Sequence, residues 1–158
     1  MKKVSIAVIL LLIVTGSTYA NDHHYEGPNP ALKNVVPDFN GEEHFKATWP
    51  GATEIVFKVM GQFTKVNFTW KELKLEVFYD REGDLIATCR KIPVGNLPLP
   101  LQMSLQKEYA GFALTEATEF DDPNDGLTWY VSVSDAQKTY LLHISANGSI
   151  YVFKKMKN

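Results

Sequence analysis

Residues 73–86 read Leu-Lys-Leu-Glu-Val-Phe-Tyr-Asp-Arg-Glu-Gly-Asp-Leu-Ile. Leu75, Val77 and Tyr79 alternate with Glu76, Phe78 and Asp80, the period-two pattern of a pleated strand. Asp80, Arg81, Glu82 and Gly83 then supply turn chemistry, with Gly83 free to take a positive φ at low cost. Leu85 and Ile86 begin a return strand. The device recurs near the C-terminus, where Tyr140, Leu142 and Ile144 alternate, Ser145 to Gly148 turn, and Ile150 resumes the pattern. The chain therefore reads as hairpins.

Working outward, the spacing of landmarks suggests a duplication. Trp49-Pro50-Gly51 matches Tyr109-Ala110-Gly111 at an offset of 60, while Gly61 matches Gly126 and Gly83 matches Gly148 at an offset of 65. At the latter offset Val66 and Phe68 fall on Val131 and Val133, and Val77 and Tyr79 on Leu142 and Ile144. The extra residues of the second copy sit around Asp121-Asp122-Pro123-Asn124-Asp125, a loop by composition. Helices are expected over 36–50, with Asn40 and Glu43 as a capping box, and over 97–109, with Pro100 in the first turn and a Leu101, Leu105, Tyr109 stripe. Strands are expected over 54–60, 63–70, 73–80 and 84–89, then 115–120, 128–134, 138–145 and 149–155. The fold class predicted is α+β: a tandem repeat of a helix plus about four antiparallel strands, over 36–96 and 97–158. It would form a continuous antiparallel sheet with the helices packed on one face.

The N-terminus reads as a secretory signal peptide over residues 1–20. Lys2 and Lys3 form the positive region, 4–14 the apolar core, and Thr18 and Ala20 the small residues of a cleavage site after Ala20. Asn21 rather than Cys at the next position argues against a lipid anchor. Residues 21–35, with Pro28 and Pro30, read as a flexible lead-in. Its His23-His24 pair lacks a third ligand for a designed metal site. Of 158 residues, 138 then remain, and the formal charge moves from −2 to −4 with the loss of two lysines. That mild acidity argues against nucleic-acid and anionic-membrane partners, which need a concentrated basic face. Lys154, Lys155 and Lys157 form the one basic cluster, and at the C-terminal end they read as a solvated, frayed terminus. The single cysteine, Cys89, permits no internal disulfide and reads as a partly buried small hydrophobe, the alternative being a reactive or intermolecular thiol. The expected location is periplasmic or secreted, in a bacterium.

Catalytic chemistry is not indicated. Counting from Asp121 as a calcium loop puts Pro123 and Ser132 where oxygen ligands belong. A hydrolase could be imagined on His143, with Ser132 or Glu76 on neighbouring strands, or on a carboxylate cluster, and nothing in the spacing requires either. No metal and no cofactor is expected. What stands out is the side of the sheet away from the helices. If Val66, Phe68, Val77, Tyr79, Val131, Val133, Leu142 and Ile144 point to the core, then Phe63, Lys65, Phe78, Tyr130, Leu141, His143, Tyr151 and Phe153 point outward. Rings with mixed charges suit a recognition surface. The candidate binding surface is Phe63, Lys65, Phe78, Tyr130, His143, Tyr151 and Phe153.

Several stretches resemble the PepSY-like, or β-lactamase-inhibitor-like, small exported proteins of bacteria. They are Phe-Lys-Ala-Thr-Trp-Pro-Gly-Ala (45–52), Val-Phe-Tyr-Asp-Arg-Glu-Gly-Asp-Leu (77–85), Leu-Pro (97–98) and Tyr-Ala-Gly-Phe (109–112). The resemblance covers nearly all of residues 36–155 and implies an exported tandem-repeat domain that binds or inhibits rather than catalyses. The function expected is a non-enzymatic binding module presenting a sheet face to a protein, peptide or envelope component, as inhibitor or regulator. The alternative is a structural or self-associating envelope protein that forms a homodimer through the same face.

Overall fold

Eight strands follow one another in space as they do in sequence, each antiparallel to the last. The computed structural model describes residues 40–157. The expected signal peptide, the lead-in over 21–35 and the His23-His24 pair lie outside the described residues. The strands are β1 (Thr53–Met60), β2 (Phe63–Trp70), β3 (Leu73–Asp80), β4 (Leu85–Ile92), β5 (Ala113–Asp122), β6 (Gly126–Ser134), β7 (Lys138–Ile144) and β8 (Ile150–Lys157). Among the described residues two α-helices accompany them: α1 (Glu42–Thr48) before β1, and α2 (Leu99–Glu108) between β4 and β5.

The expected α+β class is corrected by these proportions. Helices of seven and ten residues stand beside eight strands of seven to ten residues, so the protein is mainly β. A repeated helix-plus-sheet block is not its organising unit. β4 pairs with β5, from Ile92↔Ala117 to Thr88↔Asp121, as directly as any hairpin neighbours do. The physical reason lies in how little each helix buries. α1 buries Phe45 alone, and α2 buries Leu101 and Leu105 while Leu99 and Met103 stay exposed. Strand residues carry the rest of the core. The expected capping box also fails: Gly41 occupies the N-cap, and the Asn40 side chain donates instead to the Arg81 carbonyl at 3.3 Å.

Both helices lie against the same side of the sheet. Phe45 packs among Val66, Phe68, Leu75, Val77 and Tyr79, with its ring 4.9 Å from that of Phe68. Leu101 and Leu105 pack among Ala117, Trp129, Val131, Val133, Leu142 and Ile144. The turn between β3 and β4 pins the start of α1. Gly83 has φ +91, and a Cβ there would meet the Gly41 nitrogen at 2.8 Å and the Asn40 carbonyl carbon at 2.9 Å. The His44 Nδ1–H donates to the Gly83 carbonyl at 3.2 Å across the same junction. Alanine at position 83 is therefore both strained and obstructed. We expect Gly83→Ala to lose about 2 kcal/mol or more in urea unfolding.

The β2–β3 hairpin turns through Lys71 and Glu72, both at positive φ (48° and 67°), between the register partners Trp70 and Leu73. That is the twist a two-residue hairpin requires, held here by residues that dislike it. Glu72→Gly should raise the unfolding free energy by about 1 kcal/mol, read from the urea midpoint at constant m-value.

Candidate binding face

Successive residues of a strand point to opposite sides, so the neighbours of the helix-covered residues form a second face. Its rows can be followed through the register. Lys91, Thr118, Tyr130, His143 and Tyr151 are consecutive partners from β4 to β8. Asn67, Glu76, Cys89 and Phe120 make a parallel row from β2 to β5. Lys65, Phe78 and Ala87 make a third. None of these residues belongs to either helix-covered cluster.

The structure brings the seven expected residues together in two groups on this one face. In the first, the Phe63 and Phe78 rings meet edge to face at 5.9 Å, and the Lys65 ammonium lies 5.9 Å above Phe78. Lys65 also pairs with Glu76 at 2.8 Å. In the second, His143 stacks on Tyr130 at 4.8 Å and lies nearly parallel to Tyr151 at 6.4 Å, while Phe153 meets Tyr130 edge-on at 5.6 Å.

Solvent divides the face differently from expectation. Phe78 is 0% exposed, and Phe63 and Tyr130 are also buried, whereas Tyr151 is 57% and Phe153 36% exposed. The expectation that all seven residues look into solvent is corrected for those three. Alternation states which side of the sheet a residue takes, not whether that side is wet. Lys65 and His143 are half-buried. Between the two groups lie Cys89 and Phe120, both buried register partners that the sequence reading did not place on the surface. The Phe120 ring reaches Tyr130 at 6.1 Å and so joins the groups. Its signal was available only through the β4–β5 register, which no local pattern states.

The electrostatics are those of neutral groups. Burial pushes the Cys89 thiol well up, Glu76 adds to the rise and Lys65 opposes it, so the sulfur stays protonated and weakly nucleophilic. Burial likewise raises the Tyr130 phenol, with a smaller contribution from Cys89. Burial lowers His143, leaving a neutral imidazole between phenol rings. The imagined pairing of His143 with Glu76 is excluded by topology, because β4, β5 and β6 separate β3 from β7. Such a face offers flat rings, two of them the exposed Tyr151 and Phe153.

No protein-family model matches the chain, and no curated protein gives a significant match. Solved structures do resemble it. A BLIP-like protein from Bacteroides fragilis superposes with a TM-score of 0.65 at 20% identity, covering 73% of this chain and 84% of that one. A DUF2874 family protein from Bacteroides ovatus gives 0.67 at 17% identity, covering 77% and 88%. A Bacteroides eggerthii protein described as periplasmic gives 0.63 at 12% identity, covering 72% and 83%. These likenesses define the fold as one shared with BLIP-like and DUF2874 proteins. They favour the β-lactamase-inhibitor-like side of the sequence resemblance; none of these neighbours is described as PepSY-like, and that name is not carried further. Among the described residues no helix is long and apolar enough to cross a membrane.

The lowered pKa of His143 sets a pH window. Above the ordinary histidine value of 6.5 the group is neutral in both states and its stability contribution is complete. As pH falls from there towards the lowered folded value, the unfolded chain takes up a proton that the folded one refuses, and stability declines. Urea midpoints measured across this window should fall with acid in the native protein. They should fall less in His143→Asn, where that source of proton uptake is gone.

Proposed function

We propose that the chain is an exported, non-enzymatic binding module whose sheet face opposite the helices docks a protein or peptide of the bacterial cell envelope. The observation that carries this reading is the graded ring array. Phe120 and Tyr130 form a buried floor, His143 is half-buried above it, and Tyr151 and Phe153 stand open at the β8 end. A floor fixed by packing holds the exposed rings in place, so a partner meets apolar area whose conformational entropy is already reduced. Aromatic anchors of this kind supply most of the affinity where interfaces concentrate it in a few residues.

Export rests on the sequence of residues 1–20 and accords with the fold neighbour described as periplasmic. The BLIP-like description of another neighbour fits an inhibitor or regulator, with the partner of this chain a separate question. The ring array also suits a homodimer closed through the same rings, and the test separates the two. Native mass spectrometry of the protein should show a monomer at micromolar concentration. A partner captured from an envelope extract of the source bacterium should be lost with Tyr151→Ser/Phe153→Ser, in a variant whose urea midpoint is unchanged. A dimer that the same pair of substitutions dissolves would overturn the proposal in favour of self-association.

A further inference from the structure

Among the described residues the sheet is open, and two strands have no partner on one edge: β1 and β8. An unpaired edge presents backbone donors and acceptors to any extended chain and is normally guarded. The guards differ between the two edges. At β1 the ladder breaks between Thr53 and Val56, where Glu54 takes φ 53° and its carboxylate accepts a hydrogen bond from the Thr69 hydroxyl at 2.7 Å. That edge is distorted at its start and carries both signs of charge.

β8 is different. Tyr151, Val152 and Phe153 are exposed in succession, and Lys154, Lys155 and Lys157 follow. Lys157 stands directly across the ladder from Lys138, and Lys155 across from Tyr140. Like charges placed opposite one another are destabilising. Among the described residues no carboxylate pairs with Lys154, Lys155 or Lys157, although Lys46, Lys65, Arg90 and Lys91 each have one. Lys138 lies 5.5 Å from both Phe112 and Tyr140 and its charge also acts on the Asp135 carboxylate, while Lys155 lies 5.9 Å from Tyr140. Lys154, Lys155 and Lys157 thus concentrate positive charge without a paired carboxylate among the described residues, along one edge of a chain that is net acidic.

We propose that the β8 edge is a strand-addition site for an extended peptide segment of a partner, one in which acidic side chains alternate with β-branched or aromatic ones. Such a segment would add a ninth strand. Its acidic residues would lie on the helix side against Lys155 and Lys157, while its apolar residues lie on the other side against Tyr151 and Phe153. The same lysines discriminate. A second copy of β8 laid parallel and in register would bring lysine against lysine, so the charges that invite an acidic strand repel that mode of self-pairing. This site adjoins the ring array described above but does not depend on that face being a docking surface, because its recognition is through backbone and lysine.

The test uses the protein and a fluorescein-labelled, terminally blocked peptide of alternating glutamate and valine, seven residues long by design. Anisotropy should show saturable binding that weakens about tenfold or more between roughly 50 mM and 500 mM NaCl. The matching lysine–valine peptide should not bind. Lys155→Glu/Lys157→Glu should abolish binding while Tyr151→Ser/Phe153→Ser weakens it only a few-fold, which separates this site from failure of the face reading. Amide hydrogen exchange should slow in Ile150–Lys157 on adding peptide and stay unchanged in Thr53–Met60. Absence of binding overturns the proposal, as does binding that protects β1 equally, leaves β8 unprotected or survives the lysine reversal. Dimerisation through β8 in sedimentation would overturn it in favour of a second copy as the occupant.

Discussion

Strict alternation of side chains, carried from strand to strand across eight antiparallel partners, is the constraint on which this protein depends. On β3, Val77 and Tyr79 lie under α1 while Phe78, between them, is fully buried on the other side. A slip of one residue would exchange the two sets and set Glu76 where Val77 belongs, or Asp80 where Tyr79 belongs, according to its direction. Four register shifts, at Thr53/Val56, Phe78/Tyr79, Leu114/Glu116 and next to Leu142, let the ladder bend without such an exchange. Because both sides of the central strands are buried, the sheet itself is the middle layer. The helices are partial covers over one side of it.

Hairpins were legible because their signals are local. Leu75, Val77, Tyr79 and Gly83 state a strand and its turn within one window, and Tyr140, Leu142, Ile144 and Gly148 do so again. The side of the sheet taken by Phe63, Phe78, Tyr130 and His143 followed from the same alternation. Fold class was misjudged because helical spacing was counted as helical mass. Trp49 looked like the last apolar position of a long helix, yet it caps a seven-residue one and sets its ring against Phe68 and Trp70 instead. Pairing of β4 with β5 lies outside any local window, with a 3₁₀ turn and a helix between them, and with it went the position of Phe120.

Depth within the face was the other thing hidden. A sequence records that Phe78 and Tyr151 share a side but not that one is enclosed and the other open. That difference comes from distance to an edge: Phe78 and Phe120 sit on central strands, Tyr151 and Phe153 on the last. The same gradient orders the chemistry. Groups near the middle, Cys89 and Tyr130, are held neutral by desolvation, while charge collects at the rim on Lys154, Lys155 and Lys157.

Cys89 occupies the seam of this arrangement, with Glu76 on one flank and Phe120 on the other. A lone sulfhydryl so enclosed meets no alkylating reagent or oxidant until the ladder there parts. Its rate of modification is therefore a clock for breathing at the centre of the molecule, uncontaminated by fraying at the ends. Each opening is a chance for a mixed disulfide wherever an oxidant is present, one that would wedge the seam apart. The stiffness of the two ladders flanking β4 thus decides how often the sulfur is exposed.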